Sequence, residues 1–266
     1  MTMPNTPGPA KLHSHIHFIM VAPSHPGNVG AAARALKTMG FSRLTLVAPR
    51  SNKMSQNPEA IAMASGASDV LHNTAVVNTL EQALANSNLA FALTARPREL
   101  GPPASDIRSM AKQASQHLQN YPDNEIALVL GTERSGLDNA AIALCQAVCH
   151  IPANPEYSSL NVAQALQLAA WELHYALLHQ AGQLGMPQTG RAKPAKGSQP
   201  ARNKQLHDLL NHLEEALIAI DFLNPQHPKK LMQRLRHFFM RNAASDDEVA
   251  IWRGICTAIL RNKPSK

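Results

Sequence analysis

The stretch Ile16-His17-Phe18-Ile19-Met20-Val21, followed by Ser24-His25-Pro26-Gly27-Asn28-Val29-Gly30-Ala31-Ala32-Ala33-Arg34, decides the fold. Its first part is an apolar run of strand length. Its second part is a polar loop, bearing proline and glycine, that opens an alanine-rich helix expected over Ala31–Met39. Gly40 closes that helix, because glycine takes the left-handed position after a helix end without steric cost. A strand, a loop and a helix in this order begin a β-α-β unit.

The alternation continues along the chain. Further strands are expected at Leu44–Val47, Ala75–Val77, Leu89–Leu93, Ile126–Leu130 and Val148–Ile151. Helices are expected over Leu80–Ala85, Ile107–Gln119 and Leu160–Gln180, and Asn57-Pro58-Glu59 supplies an N-cap, a first-position proline and a first-turn acid for another. Six short strands interleaved with helices give an α/β fold, a mostly parallel sheet flanked by helices over residues 15–180. Residues 1–14, with Pro4, Pro7 and Pro9, read as a flexible arm; they lack the basic and apolar regions of a signal peptide. Residues 181–204 turn to Gly, Pro, Gln and Lys/Arg with no apolar period, a basic flexible linker. Beyond it, residues 205–266 form a small all-α extension: Leu206, Leu209, Leu210, Leu213, Leu217 and Ile220 recur at helical spacing, and two more helices follow, over Lys229–Met240 and from Asp246-Asp247-Glu248.

Composition narrows the partner. Of 266 residues 44% are apolar and 16% charged, as in ordinary globular proteins, and the net charge is +7. Residues 1–170 hold 11 Lys/Arg against 10 Asp/Glu, whereas 171–266 hold 14 against 8. The excess therefore sits in the last third and points to an anionic partner, nucleic acid first. Aromatic residues are only 4%, which argues against recognition by rows of stacked rings. Cys145, Cys149 and Cys256 are too few and scattered for a disulfide framework, so a cytoplasmic location is expected. The apolar stretch Leu160–Leu178 is interrupted by Asn161, Gln164, Gln167, Glu172 and His174, and no membrane span is expected.

Three loops stand out, each following a strand and opening a helix, where open α/β sheets bind ligands. The first, Ser24 to Arg34, has small residues that let its helix approach another backbone and a cation one turn in; it lacks the G-x-G-x-x-G order of a dinucleotide fold. The second, Gly131-Thr132-Glu133-Arg134-Ser135-Gly136, has Leu137-Asp138 where a P-loop needs Lys and Ser/Thr, which leaves a turn whose carboxylate suits the backbone amides of the loop beside it. The third runs from Ile151 to Val162. Taken alone, Ser158 and Ser159 read as N-caps of the helix that follows, and no G-x-S-x-G elbow surrounds them. Cys145-x-x-x-Cys149-His150 lacks the second pair of a zinc site, and no metal is expected.

Together the loops are more specific. Asn28-x-Gly30-x-x-x-Arg34, Gly131-x-Glu133-x-x-Gly136 and Asn154-Pro155-x-x-Ser158-Ser159-Leu160-Asn161-Val162, in this order, resemble the three motifs of the SpoU branch of the SPOUT RNA methyltransferases. Ala35-Leu36-Lys37-Thr38-Met39-Gly40, Ala64-Ser65-Gly66-Ala67-Ser68-Asp69-Val70 and the stretch Ala153 to Asn161 narrow the resemblance to the TrmJ family, as does Asn224–Arg241 in the extension. The arm and the linker have no counterpart in it.

The resemblance implies an α/β domain with a C-terminal deep trefoil knot. It also implies S-adenosylmethionine-dependent methylation of the ribose 2′-hydroxyl of cytidine or uridine at position 32 of the tRNA anticodon loop. The methyl donor would lie against Leu93, Thr94, Ala95, Gly131, Ile151, Ser158, Ser159 and Leu160. The enzyme would work as a homodimer, with Arg34 of one protomer entering the site of the other. Asn28 and Ser159 would orient the hydroxyl, while Glu133 and Asn161 support the loops. Arg34 is expected to clamp a phosphate and the developing oxyanion rather than take the proton, because guanidinium stays protonated in proteins. Lys229, Lys230, Arg234, Arg236 and Arg241 are expected to grip the tRNA backbone. Two alternatives stand beside this reading: the same chemistry on another RNA, or a SPOUT-like RNA-binding protein without catalysis.

Overall fold

The computed structural model describes residues 12–95, 102–182, 199–227, 229–242 and 244–262. The expected arm up to residue 11 and most of the expected linker, 183–198, lie outside them. Seven strands form one parallel sheet in the order β3-β2-β1-β6-β4-β7-β5. They are β1 (Ile16–Val21), β2 (Arg43–Val47), β3 (Ala75–Val77), β4 (Leu89–Leu93), β5 (Ala104–Asp106), β6 (Ile126–Leu130) and β7 (Ala147–His150). Six of these match the sequence expectation. β5 does not: it is a three-residue edge strand, Ala-Ser-Asp, with no apolar run to betray it.

The pleat divides the strand residues between two cores. Ile16, Phe18 and Met20 of β1, Phe91 and Leu93 of β4, and Leu128 and Leu130 of β6 face one layer, made by α1 (Pro26–Thr38), α2 (Pro58–Ala64), α3 (Ser68–His72), α5 (Ile107–Asn120) and α7 (Val162–Gln180). The other face carries Ile19, Ala90, Ala92, Ala127 and Val129, mostly smaller residues, under the short helices α4 (Leu80–Leu84) and α6 (Asn139–Ala143). All residues of β4 and β6 are buried, as expected for strands covered on both faces.

Helix ends follow the local chemistry. Asn57 accepts a hydrogen bond from Glu59 N at 2.9 Å and caps α2 as expected. Gly40 follows α1 at φ 78°. α1 begins at Pro26, five residues earlier than expected, because proline is favoured at the first helical position even where Gly27 and Asn28 are poor helix formers. Gly30 is required inside it: a Cβ there would lie 2.1 Å from the carbonyl oxygen of Ala60, so α1 and α2 touch backbone to backbone.

Three further helices, α8 (Asn203–Ala219), α9 (Leu231–Asn242) and α10 (Asp246–Arg261), share a hydrophobic cluster of their own built on Leu206, Leu209, Leu210, Leu213, Phe239 and Cys256. Ser245 and Glu248 close a capping box at the start of α10. The last residues of the expected linker are fixed rather than free. Asn88 Nδ2 donates to Pro200 O at 2.9 Å, Asn203 N donates to Ser87 O at 2.9 Å, and Ala201 N donates to Ala244 O at 2.9 Å. Burial of Pro200 and Ala201 explains this, since their backbone groups must then find partners in the protein.

Candidate active site

In a parallel sheet the loops after β1, β6 and β7 emerge at the same edge, and hydrogen bonds join all three. Glu133, in the loop after β6, accepts from Ser24 N at 3.2 Å, Ser24 Oγ at 2.9 Å, His25 N at 3.3 Å and Asn28 Nδ2 at 3.1 Å. The amides of the neighbouring loop are thus the partners its position suggested. Asn28 Oδ1 in turn accepts from Asn161 Nδ2 at 2.9 Å, and Asn161 Oδ1 accepts from Ala163 N at 2.9 Å and Gln164 N at 3.4 Å at the start of α7. The chain Glu133–Asn28–Asn161 therefore links the second loop to the first and the first to the third. Burial acts to raise the Glu133 pKa, but hydrogen bonds from its own backbone, Asn28 and Ser24 outweigh it and hold the carboxyl below its ordinary value.

Asn161, not Ser158 or Ser159, caps α7. An asparagine side chain that reaches two amides satisfies the helix start, and it leaves both serines to line a cavity. That cavity, about 190 Å³, is bounded by all eight residues expected around the methyl donor: Leu93, Thr94 and Ala95 after β4, Gly131, Ile151, Ser158, Ser159 and Leu160. Its wall is apolar at Leu93, Ile151 and Leu160, with backbone and hydroxyl groups between, a pattern suited to a flat heteroaromatic ring whose edge is read by the main chain. Gly131 cannot be replaced without a change of shape. A Cβ there would lie 2.1 Å from the carbonyl carbon of Gly136, because Thr132 and Gly136 exchange backbone hydrogen bonds at 3.2 and 3.1 Å and fold the loop back onto it. Thr132, Arg134 and Ser135 also line the cavity. The spacing of the two glycines hinted at that turn, but nothing in the sequence showed that it curls inward.

Arg34 is elsewhere. It is exposed on α1 and is not among the residues bounding this cavity. Asn28 lines a second, open cavity of about 910 Å³, between α1, α2 and α7, which meets the first at Leu160. Beside it α2 and α7 present Met63, Leu168, Trp171 and Tyr175, with 49%, 41%, 49% and 38% of their surfaces exposed. These four large apolar side chains give the two helices an exposed apolar face.

The basic residues of the extension also divide. Lys229, Lys230 and Arg234 are exposed. Arg236 turns inward to a cavity between α4, α8 and α9; burial lowers its pKa, Glu81 and Glu214 oppose that shift, and its Nη1 has no hydrogen-bond partner. The side chain of Arg241 lies outside the described residues. Among the described residues no cluster of three potential metal ligands occurs, and no helix is long and apolar enough to cross a membrane.

Comparison with known proteins agrees with this geometry. Residues 15–171 match the SpoU rRNA Methylase family, and residues 204–266 match the C-terminal domain of the tRNA methyltransferase TrmJ. The chain is 40% identical, over 91% of its length and 92% of the relative's, to the tRNA (cytidine/uridine/adenosine-2′-O-)-methyltransferase TrmJ of Pseudomonas aeruginosa. It is 39% identical, over 95% and 99%, to the tRNA (cytidine/uridine-2′-O-)-methyltransferase TrmJ of Klebsiella pneumoniae. Among solved structures, TrmJ from Z. mobilis superposes with a TM-score of 0.76 at 29% identity, covering 91% of this chain and 98% of that one. A probable methyltransferase from Bordetella pertussis superposes with a TM-score of 0.61 at 64% identity, covering 64% of this chain and 99% of that one.

Proposed function

The chain belongs to the SpoU methylase family, with a TrmJ-type C-terminal domain, and we propose that it methylates the ribose 2′-hydroxyl of cytidine or uridine at position 32 of the tRNA anticodon loop. It is a tRNA (cytidine/uridine-2′-O)-methyltransferase. The observation that carries it is the joining of the three motif loops by Glu133, Asn28 and Asn161, beside a cavity that the second and third of them line together with Leu93, Thr94 and Ala95.

The residues present fit S-adenosylmethionine. Leu93, Ile151 and Leu160 would flank its adenine, and Gly131, Ser158 and Ser159 would bound the rest. Bound there, that group supplies an electrophilic methyl on a sulfonium. The protein's own task is alignment and charge. The ribose 2′-oxygen must lie in line with the carbon–sulfur bond, so that the carbon–oxygen bond forms as the carbon–sulfur bond breaks, and orientation of this kind is worth several kcal/mol. Ser159 directs the hydroxyl. Both polar atoms of Asn28 carry hydrogen bonds within the loop network, so its part is to position the first loop against the second rather than to touch the ribose alone. The hydroxyl proton leaves to water or to a phosphate oxygen.

Arg34 completes the site from a second protomer. Its position outside the cavity of its own chain and the apolar face on α2 and α7 both favour a homodimer in which Arg34 clamps the phosphate beside the reacting ribose. Threading of the chain from β6 to α7 as a trefoil knot accords with β6 and β7 lying between strands laid down earlier. A cytoplasmic location accords with three buried free thiols.

The test is mass spectrometry of nucleosides from tRNA incubated with the protein and S-adenosylmethionine. Appearance of 2′-O-methylcytidine or 2′-O-methyluridine at position 32 is expected. Methylation only at another site, or only of ribosomal RNA, would replace the substrate, and failure to bind the methyl donor in calorimetry would leave an RNA-binding protein without catalysis.

A further inference from the structure

On α9, Arg234 N donates to Lys230 O at 3.0 Å, so the helical turn already includes Lys230. Lys230, Arg234 and Phe238 follow one another at four-residue intervals and form a single stripe. All three are exposed, Phe238 by 46%. The opposite side of the helix is anchored by Leu235, Phe239 and Met240 in the core of the extension, and α9 contains no acidic residue. The Phe238 ring is held in place rather than loose. It meets Phe239 edge to face at 5.4 Å and 82°, and Phe239 meets Trp252 at 5.4 Å and 90°. A large ring exposed on the same stripe as two cations is costly to leave bare, and it loses little freedom on binding. Two cations at one end of a stripe and an exposed aromatic ring at the other match a nucleic-acid strand, phosphates at one end and an unpaired base at the other.

We propose that Phe238 is a stacking platform for one unpaired base of the tRNA, whose neighbouring phosphates are held by Lys230 and Arg234; this rests on the reading of the chain as a tRNA methyltransferase. Composition excludes rows of stacking rings, and one ring is not a row. Stacking tolerates any base, which suits an enzyme that accepts both cytidine and uridine.

The experiment measures binding of the full-length protein to an anticodon stem-loop RNA across a range of salt. Phe238→Leu is expected to weaken binding about tenfold with the salt slope unchanged, and Phe238→Tyr to restore it to within about twofold. Lys230→Gln and Arg234→Gln are each expected to lower the salt slope by about 0.7–0.9. An abasic substitution at one loop position should weaken binding of wild-type protein by the same factor and remove the difference between wild type and Phe238→Leu. Wild-type affinity in Phe238→Leu alongside weakened Arg234→Gln would overturn the platform and leave the tRNA reading standing. If Phe238→Leu melts at a lower temperature, the wild-type protein decides: binding indifferent to abasic sites throughout the loop also overturns it. Wild-type protein that binds no tRNA would instead remove the reading beneath it.

Discussion

Replacing Glu133 by glutamine removes one negative charge and changes little else in size. Four donors converge on the carboxylate: the amides of Ser24 and His25, the Ser24 hydroxyl and the Asn28 amide. Glutamine keeps one oxygen able to serve two of them and turns an NH₂ group toward the others. A charge-assisted hydrogen bond contributes about 1.5–3 kcal/mol, and partial exposure of Glu133 reduces that, so the loss for two bonds is about 2–3 kcal/mol. At roughly 2–4 °C per kcal/mol for a domain of this size, the melting temperature should fall by about 6 °C. The loss should depend on pH. A folded-state pKa held below the ordinary value means that the unfolded chain takes up the proton first as pH falls. The stabilisation is therefore complete above the ordinary glutamate range and disappears as pH drops through the folded-state value. Thermal melts of wild type and Glu133→Gln at neutral pH and through the carboxylate range test this, together with calorimetry of S-adenosylmethionine. The variant should also bind the methyl donor more weakly, because the loop of Gly131 is no longer held to Ser24 and Asn28. Equal melting temperatures at neutral pH with unchanged donor affinity would refute the reasoning.

Arg34→Ala and Gly131→Val should each be inactive alone, whereas mixed and re-equilibrated subunits should recover part of the activity, since one site in the mixed dimer keeps both a sound cavity and a sound arginine. Failure of the mixture to recover would place Arg34 in its own protomer's site. Arg34→Lys should lose most turnover if a bidentate clamp is needed, and near wild-type turnover would exclude the clamp. Arg236→Met should leave the salt dependence of tRNA binding unchanged while Arg234→Gln lowers it; a reduced slope in Arg236→Met would show that this residue reaches RNA after all. His17 and His117, pushed down to about 4 mainly by burial, stay neutral in the fold, so the unfolded chain takes up protons first as pH falls below about 6.5 and stability should drop between there and about 4. Denaturant titrations of wild type and His17→Gln check this: a stability curve flat over that window would contradict it.

What could be read from the sequence divides along physical lines. Five strands carry apolar runs that signal burial, and the brief Ala75–Val77 a β-branched pair; those six were legible, as were Gly40 and the Asn57 cap, whose chemistry is local. β5 and α6 were not, because a short edge strand and a one-turn helix are held by neighbours rather than by a pattern of their own. Glu133 was legible as a holder of the adjacent loop, since a carboxylate between two glycines suits few other partners. The competition between Ser158, Ser159 and Asn161 for the α7 cap was not, because serine and asparagine both cap well and only the path of the chain decides which reaches the amides. Arg236 shows the same limit. Arg234 and Arg236 are two residues apart, hence on nearly opposite sides of α9, and which side meets the catalytic part is set by packing that the sequence does not display.

Inward rotation of Arg236 bears on where the grip on RNA resides. Residues 181–203 contain Arg191, Lys193, Lys196 and Arg202 with no acid, whereas residues 204–266 hold ten Lys/Arg against seven Asp/Glu. Four of the excess charges thus belong to the linker and three to the helical extension, with Glu172 opposing. Once Arg236 is committed to the junction with α4, the extension offers fewer outward cations than its composition suggests. Counterion release counts contacts, not net charge, and each phosphate neutralised contributes about 0.7–0.9 to the salt slope. Each linker cation that neutralises a phosphate adds to the slope in the same way as one on α9. Arg191→Gln, Lys193→Gln and Lys196→Gln combined should lower the slope by about two and leave S-adenosylmethionine affinity untouched. An unchanged slope would confine the grip to the helical extension, where Lys229, Lys230 and Arg234 are exposed.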